Sequence, residues 1–294
     1  MSRFRCGTVA LVGRPNTGKS SLLNRLLGQK IAIVSPKPQT TRHLVRGILT
    51  TPACQIIFTD SPGYQTRHVN PLNRALNRRA GEAARDTDAV LFVIEATRYG
   101  AADQDVLARL PKDAHIVAAV NKVDLARDRG ALLQLVAQLD GEKRFEAIVP
   151  VSARTGRNVP ELLRVLRELL PEQPAIYPPD QLTDQDERFF AAEILREKLF
   201  RLLGEELPYR CEVAIDSFRQ EGRLRRIEAS IWVERESQKP ILVGKGGEKL
   251  KRISTAARLD MERLFGGKVY LGTWVKVKQD WSGDARYLRQ LGYG

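Results

Sequence analysis

Three cysteines in 294 residues, Cys6, Cys54 and Cys211, are too few and too widely spaced to build a framework. The count is odd and no pair stands at C-x-x-C spacing, which excludes a disulfide scaffold and a cysteine zinc site. Such scarcity fits a reducing cytosol. Long hydrophobic runs are missing as well. The apolar stretch near the N-terminus is broken at Gly13-Arg14, and no run reaches the ~18 residues that a membrane span needs. A secretory leader and a spanning helix are therefore not expected, and any membrane contact would be peripheral. Internal repeats and low-complexity tracts are also absent.

Positive charge, by contrast, is abundant. Lys and Arg number 48 against 35 Asp and Glu, a formal net charge of +13. Residues 1–172 hold 26 of these cations and 16 of the acids, and residues 240–294 hold 11 and 5. The excess is thus spread over the chain, with a second concentration near its end, and implies a polyanionic partner. Apolar residues at 43% and charged residues at 28% are ordinary for a globular protein. The length favours two domains, because single cores rarely grow past ~250–300 residues.

The hydrophobic pattern divides the chain. Thr8–Val12, Ala89–Glu95, Ile116–Val120 and Ala147–Val151 are apolar runs of buried strands, and Ile48–Thr50 and Gln55–Thr59 read as a strand pair. Helical patterns lie between them at Ser20–Leu27, Pro71–Arg85, Asp103–Leu110, Ala131–Leu139 and Val159–Leu170. This alternation predicts a mostly parallel sheet with helices on both faces. Pro171, Pro174, Pro178 and Pro179 then mark an extended linker. Beyond it come a helix (Asp186–Leu203), two strands (Cys211–Ile215 and Leu224–Val233), a helix (Glu248–Phe265) and a strand (Val269–Lys278). The resulting division is a first domain over 1–171, a linker over 172–185, a second domain over 186–282 and a tail over 283–294.

Gly13-Arg14-Pro15-Asn16-Thr17-Gly18-Lys19-Ser20 matches G-x-x-x-x-G-K-S/T between a predicted strand and a predicted helix. Its glycines let backbone N–H groups close on phosphates, and the helix N-terminus favours the anion. Lys19 would reach the β- and γ-phosphates and Ser20 would ligate Mg²⁺. Asp60-Ser61-Pro62-Gly63 follows a strand and places Asp60 as a second Mg²⁺ group and Gly63 as a γ-phosphate sensor. In Gln39-Thr40-Thr41-Arg42-His43, one threonine would complete the metal site, with Thr41 favoured and Thr40 close behind. Lys19, Thr41 and Gly63 are the candidate catalytic groups.

Asn121-Lys122-Val123-Asp124 supplies the base. The Asp124 carboxylate can accept from guanine N1–H and its 2-amino group, which adenine lacks; such a site discriminates by ~10⁴ or more. Asn121 would reach N7 and brace the phosphate loop, and Ser152-Ala153 would touch the guanine edge. Tyr64 stands where many GTPases carry a water-positioning glutamine, so slow intrinsic hydrolysis is expected. Asn16 could hold a monovalent cation such as K⁺ beside the phosphates; a turn-forming role after Pro15 explains the same residue.

In the second domain, Gly244-Lys245-Gly246-Gly247 is a G-x-x-G loop opening a basic helix with Lys249, Lys251 and Arg252. The order helix, strand, strand, helix, G-x-x-G, helix, strand is that of a type II KH domain, an α+β RNA-binding module whose loop clamps about four nucleotides. Trp232, Trp274 and Trp281 are expected to pack against helices rather than to stack on bases.

This combination resembles the Era family of bacterial GTPases, and the likeness runs through nearly the whole chain. It is carried by GRPNTGKSSLLNRLLGQKI at 13–31, PQTTRH at 38–43, NKVD at 121–124, EILREKLF at 193–200, ELPY at 206–209, WVKVK at 274–278 and LGY at 291–293. The resemblance implies a P-loop GTPase domain followed by a type II KH domain. It also implies binding of GTP and GDP with Mg²⁺ and binding of the 3′ end of 16S rRNA. Roles in maturation of that end and in assembly of the small (30S) ribosomal subunit follow from it too. GTP would favour RNA binding and hydrolysis would reset it, in a cytoplasmic protein with some peripheral association at the inner membrane. Separately, a monomer is expected. Ser61 and Thr17 replace the family's usual threonine and valine. A tRNA-modifying GTPase is the competing class, but its C-terminal cysteine motif is missing from Gln290-Leu291-Gly292-Tyr293-Gly294. An RNA-binding module with a vestigial nucleotide site is the other, and the complete motif set argues against it.

Overall fold

The computed structural model describes residues 3–293, apart from 36, 38–39, 66–69, 127 and 205. Gln39 of the candidate metal loop lies outside the described residues. The chain forms two compact units. The first comprises Met1–Val34, Thr41–Val69 and Asn73–Asp184; the second comprises Ser35–Thr40, Asn70–Leu72 and Gln185–Gly294.

The first unit is built on a six-stranded sheet. Its strands are β1 (Arg5–Val12), β2 (Val45–Thr50), β3 (Cys54–Asp60), β4 (Ala89–Glu95), β5 (Ile116–Asn121) and β6 (Ala147–Pro150). Their order is β2-β3-β1-β4-β5-β6. Only β2 runs antiparallel, against β3; the other pairs are parallel. Every residue of β5 is buried, as a strand covered on both faces requires. The helices are α1 (Lys19–Leu27), α2 (Pro71–Arg85), α3 (Ala101–Leu107), α4 (Arg129–Gly141) and α5 (Val159–Leu169). The sequence predicts a helix from 103 to 110; α3 instead starts at Ala101, because the Gly100 N–H donates to Asp103 Oδ2 at 3.1 Å and sets the cap there.

The proline-rich stretch is not a free linker. Gln55 is fully buried, and its side-chain oxygen accepts from the Ile176 and Tyr177 N–H groups at 2.8 and 2.9 Å. The Ile48 N–H donates to Leu182 O at 2.8 Å, and Thr183 Oγ1 donates to Arg46 O at 2.6 Å. Proline density signals only that no helix continues. Where the segment lies was decided by one buried amide on β3 that needed partners.

The second unit carries α6 (Glu187–Leu202), β7 (Glu212–Glu221), β8 (Leu224–Val233), α7 (Gln238–Val243), α8 (Glu248–Phe265), β9 (Lys268–Val277) and α9 (Ala285–Gln290). The sheet order is β7-β8-β9, with β7 antiparallel and β9 parallel to β8. Leu195 and Leu199 of α6 and Ile253, Ala257 and Met261 of α8 join Ile227, Ala229 and Ile231 of β8 in one core. The helices thus cover one face of the sheet. Within 283–294, expected as a tail, Ala285–Gln290 form α9, and Leu288 and Tyr293 are buried. Tyr293 is 1% exposed and its hydroxyl donates to Glu212 Oε2 at 2.7 Å. Trp281 is fully buried and donates to Arg210 O at 3.1 Å.

Candidate nucleotide and RNA sites

The carboxyl ends of β1, β3, β5 and β6 bring the sequence motifs of the first unit together, at the edge where open α/β sheets hold ligands. Residues 13–20 leave β1 as a tight loop. A Cβ on Gly13 would lie 2.3 Å from Val93 O, and one on Gly18 would lie 2.3 Å from Asn121 Nδ2. Both glycines are therefore obligatory, and both have positive φ. Asn16 also adopts a left-handed conformation, which asparagine tolerates. Asn121 Nδ2 donates to Thr17 O at 2.9 Å, while its Oδ1 accepts from the Ala153 N–H at 3.0 Å. One side chain thus ties the phosphate loop to the Ser152-Ala153 loop.

Lys19 is buried and donates to Gly13 O at 3.1 Å and Arg14 O at 2.9 Å. Burial lowers its pKa from 10.5 to about 8, against an opposing pull from Asp60. Ser20 Oγ donates to Asp60 Oδ2 at 2.5 Å and lies 2.8 Å from Thr41 Oγ1, which is 3.4 Å from the same carboxylate oxygen. Three hard oxygens converge, and that donor set suits Mg²⁺. Thr40 does not join them: its hydroxyl donates to Lys37 O at 2.8 Å.

Ser61 Oγ donates to Leu11 O at 2.7 Å, which fixes the start of the Asp60–Gly63 turn against β1. A Cβ on Gly63 would stand 2.7–3.0 Å from Pro15, so this turn packs directly on the phosphate loop. The Tyr64 N–H donates to Gly13 O at 3.2 Å, and its ring is buried against Ala80, Ala84 and Phe92. Burial also pushes the phenol pKa up. Tyr64 is a core residue. Gln65 is gripped by Asn77, whose Oδ1 accepts from its N–H and whose Nδ2 donates to its carbonyl, both at 2.9 Å.

Asp124 accepts from Ser152 Oγ at 2.5 Å and Arg154 Nε at 2.8 Å, and these bonds hold its carboxyl below the usual range. It is therefore an ionised acceptor at neutral pH. Lys122 sits at positive φ with its ammonium 2.9 Å from Glu95 Oε2. The Arg14 side chain turns away from the loop, to Asp103 Oδ1 at 2.8 Å and Arg98 O at 2.6 Å, so Arg14 serves the phosphate loop through its backbone. Asp103 and Glu95 are supports that sequence reasoning did not mark. Arg25 is another, donating to Ala153 O at 2.8 Å and Arg154 O at 2.6 Å. Asp103 and Glu95 lie in no motif, and Arg25 lies in the 13–31 run without having been given a role.

In the second unit, Gly244, Gly246 and Gly247 all have positive φ. No atom lies within 4 Å of a Cβ placed on Gly246 or Gly247, so the loop presents bare backbone. Gly247 caps α8, whose first turns carry exposed Lys251 and Arg252 and half-buried Lys249; Lys245 in the loop is exposed. A groove of about 330 Å³ opens beside the loop, lined by Gly247, Lys251, Ser254, Arg258 and Thr273 among others. Trp232 and Trp281 are buried as expected. Trp274 is not: it is 48% exposed, because it alternates outward on β9.

These features define a guanine-nucleotide-binding P-loop domain joined to a type II KH domain. Comparison with known proteins agrees. Residues 8–122 match the family described as a 50S ribosome-binding GTPase, and residues 206–282 match the KH domain family. GTPase Era of Chromobacterium violaceum is 53% identical, over 98% of each chain. GTPase Era of Neisseria meningitidis is 53% identical over 98% of this chain and 95% of its own. Two solved structures superpose with TM-scores of 0.95 over 99% of each chain. One is a tyrosine-to-alanine variant of Aquifex aeolicus Era bound to GDP·AlF4⁻, 36% identical. The other is Era in complex with MgGDPNP and nucleotides 1506–1542 of 16S ribosomal RNA, 37% identical. The chain belongs to the Era family of GTPases.

Proposed function

We propose that this protein is a GTP-hydrolysing switch that binds the 3′ end region of 16S rRNA and acts in maturation of that end and in small-subunit assembly. The observation that carries the reading is the convergence of Ser20, Thr41 and Asp60 at the same sheet edge as Asp124. Ser20, Thr41 and Asp60 would hold Mg²⁺, which supplies charge neutralisation at the β- and γ-phosphates when bound. Lys19 leaves the Gly13 and Arg14 carbonyls for the phosphate oxygens. The Gly63 N–H, beside Pro15 of the phosphate loop, meets the γ-phosphate. Asp124 accepts from the guanine edge, with Ser152 and Arg154 keeping it ionised and oriented. Asn121 locks the base loop to the phosphate loop.

Tyr64 removes the usual glutamine, which favours slow hydrolysis assisted by a monovalent cation held at Asn16. The RNA site is the Gly244–Gly247 loop with Lys245, Lys249, Lys251 and Arg252. Related Era captured with MgGDPNP and 16S rRNA nucleotides supports this pairing of nucleotide and RNA. We further propose a cytoplasmic monomer with peripheral contact at the inner membrane; no helix among the described residues is long and apolar enough to cross one. The test is binding of a single-stranded RNA from the 16S 3′ end with GTP analogue, with GDP and without nucleotide. Tighter, sequence-selective binding in the GTP-like state is expected. Equal binding in all three states would break the coupling.

A further inference from the structure

The face of the β7-β8-β9 sheet that points away from α6 and α8 has no role in the G-x-x-G site. Residues alternate along β9. Leu271 and Thr273 line the groove beside Gly247, whereas Tyr270 and Trp274 point to the opposite face and are 46% and 48% exposed. Two such rings on one face, each two positions along the pleat from Gly272, make a contiguous patch, and contiguous apolar patches mark interaction surfaces. Gly272 lies between them. A Cβ there would meet the far edge of the Trp274 indole at 2.8 Å, so only glycine lets the ring lie down along the strand.

The surroundings suit nucleobases. The Arg226 guanidinium stacks 4.7 Å from the Tyr270 ring centre, which adds a second planar group to the platform. Arg226 is paired with Glu221, and Lys276 with Asp216. Lys268 acts on Glu262 of α8, and Arg219 and Glu228 of opposite sign remain, so the face is close to neutral, which suits stacking more than phosphate contact. At the far end of the same face α9 covers Trp232, whose ring meets Tyr287 at 5.8 Å. That end is closed; the end with Tyr270 and Trp274 is open. Finally, β9 is an edge strand. The groove lining, Leu271 and Thr273, and the exposed rings thus lie on the two faces of one edge strand.

We propose that the open face of this sheet, through Tyr270 and Trp274 with Arg226, is a second RNA-contacting surface that stacks bases flanking the segment held at the G-x-x-G loop. It would add affinity and length to the site with little sequence preference, because every base offers a π-face. The proposal rests on the RNA-binding reading above. The experiment compares a single-stranded RNA of about four nucleotides, the reach of the loop, with one of about ten, extended at either end. Both are titrated into the full chain with a GTP analogue.

Extension should tighten binding to the native chain. Trp274→Ala or Tyr270→Ala should lose about tenfold or more of that gain while leaving the short RNA unaffected. The long RNA should quench tryptophan emission, since Trp232 and Trp281 are buried, and Trp274→Phe should remove the quench with the fold intact. An equal gain on extension in the native chain and in both alanine variants, with no quench, overturns the proposal and would assign the face to a protein partner. The groove reading fails separately, if the short RNA does not bind or Gly247→Asp binds it unchanged. In that event, quenching by the long RNA still decides this face.

Discussion

With Lys19 at the proposed phosphate site, nucleotide binding is expected to be proton-linked. The Lys19 ammonium is buried against two loop carbonyls, and burial brings its pKa from 10.5 to about 8. A phosphate beside it favours the charged form and should return the pKa to its ordinary range. Binding then takes up a proton wherever the free protein has lost one. At pH 7 the uptake is about a tenth of a proton; at pH 8.5 it is about three-quarters. GDP affinity should accordingly fall by up to about tenfold between pH 7 and pH 9.

The sign for stability is opposite. The folded pKa lies below the unfolded one, so a cost on the order of 3 kcal/mol is fully present below pH 8 and is relieved as pH rises toward 10.5. The nucleotide-free protein should gain stability from this residue in the window where it loses affinity. Calorimetric titration of GDP at pH 7 and 8.5, each in two buffers of different ionisation heat, counts the protons. Absence of uptake at pH 8.5 would refute the argument. It would mean that Lys19 is solvated before binding or stays buried and neutral afterwards.

Three further outcomes follow from the same geometry. Asp124→Asn should move base preference from guanine toward xanthine by about 10⁴ in relative affinity, read by competition with the two nucleotides; retained guanine selectivity would remove Asp124 from the base site. Thr41→Ala should slow Mg²⁺-dependent hydrolysis by about 10²-fold, whereas Thr40→Ala should change it little, because only Thr41 reaches Ser20 and Asp60. Gly247→Asp forces an L-residue to φ 82° at the start of α8. It should cost about 1–2 kcal/mol of stability and weaken RNA binding while GTP binding stays intact; loss of both activities would point to a shared site or to misfolding.

Much of the nucleotide site was legible because its parts are short motifs in a fixed order. All of them but the Gln39–His43 run fall where a buried strand ends, and hydrophobic runs locate such strands well. Sequence placed Lys19, Ser20, Asp60 and Asp124, and it kept both Thr40 and Thr41 open for the metal. It could not show that Arg14 turns from the phosphates to Asp103, 89 residues away, or that Arg25 reaches Ala153, 128 residues away. Nothing local marks such pairs. Expected packing of all three tryptophans against helices held for Trp232 and Trp281 and failed for Trp274. Trp274 and Trp232 both sit between strand-forming neighbours, and only the folded sheet shows that one is left uncovered while α9 closes over the other.

The sequence by itself determined the motifs: a G-x-x-x-x-G-K-S loop, an N-K-x-D run proposed to select guanine, and a G-x-x-G loop on a basic helix. These need particular residue types at short spacing, and short spacing survives in one dimension. Tertiary structure decided how the supports are shared. It seated the proline-rich segment on Gln55, closed the C-terminal residues over Glu212, turned Tyr64 into the core and left Tyr270 and Trp274 bare. Each of these outcomes depends on which faces are buried and which polar groups need partners, and those conditions exist only after distant segments have met.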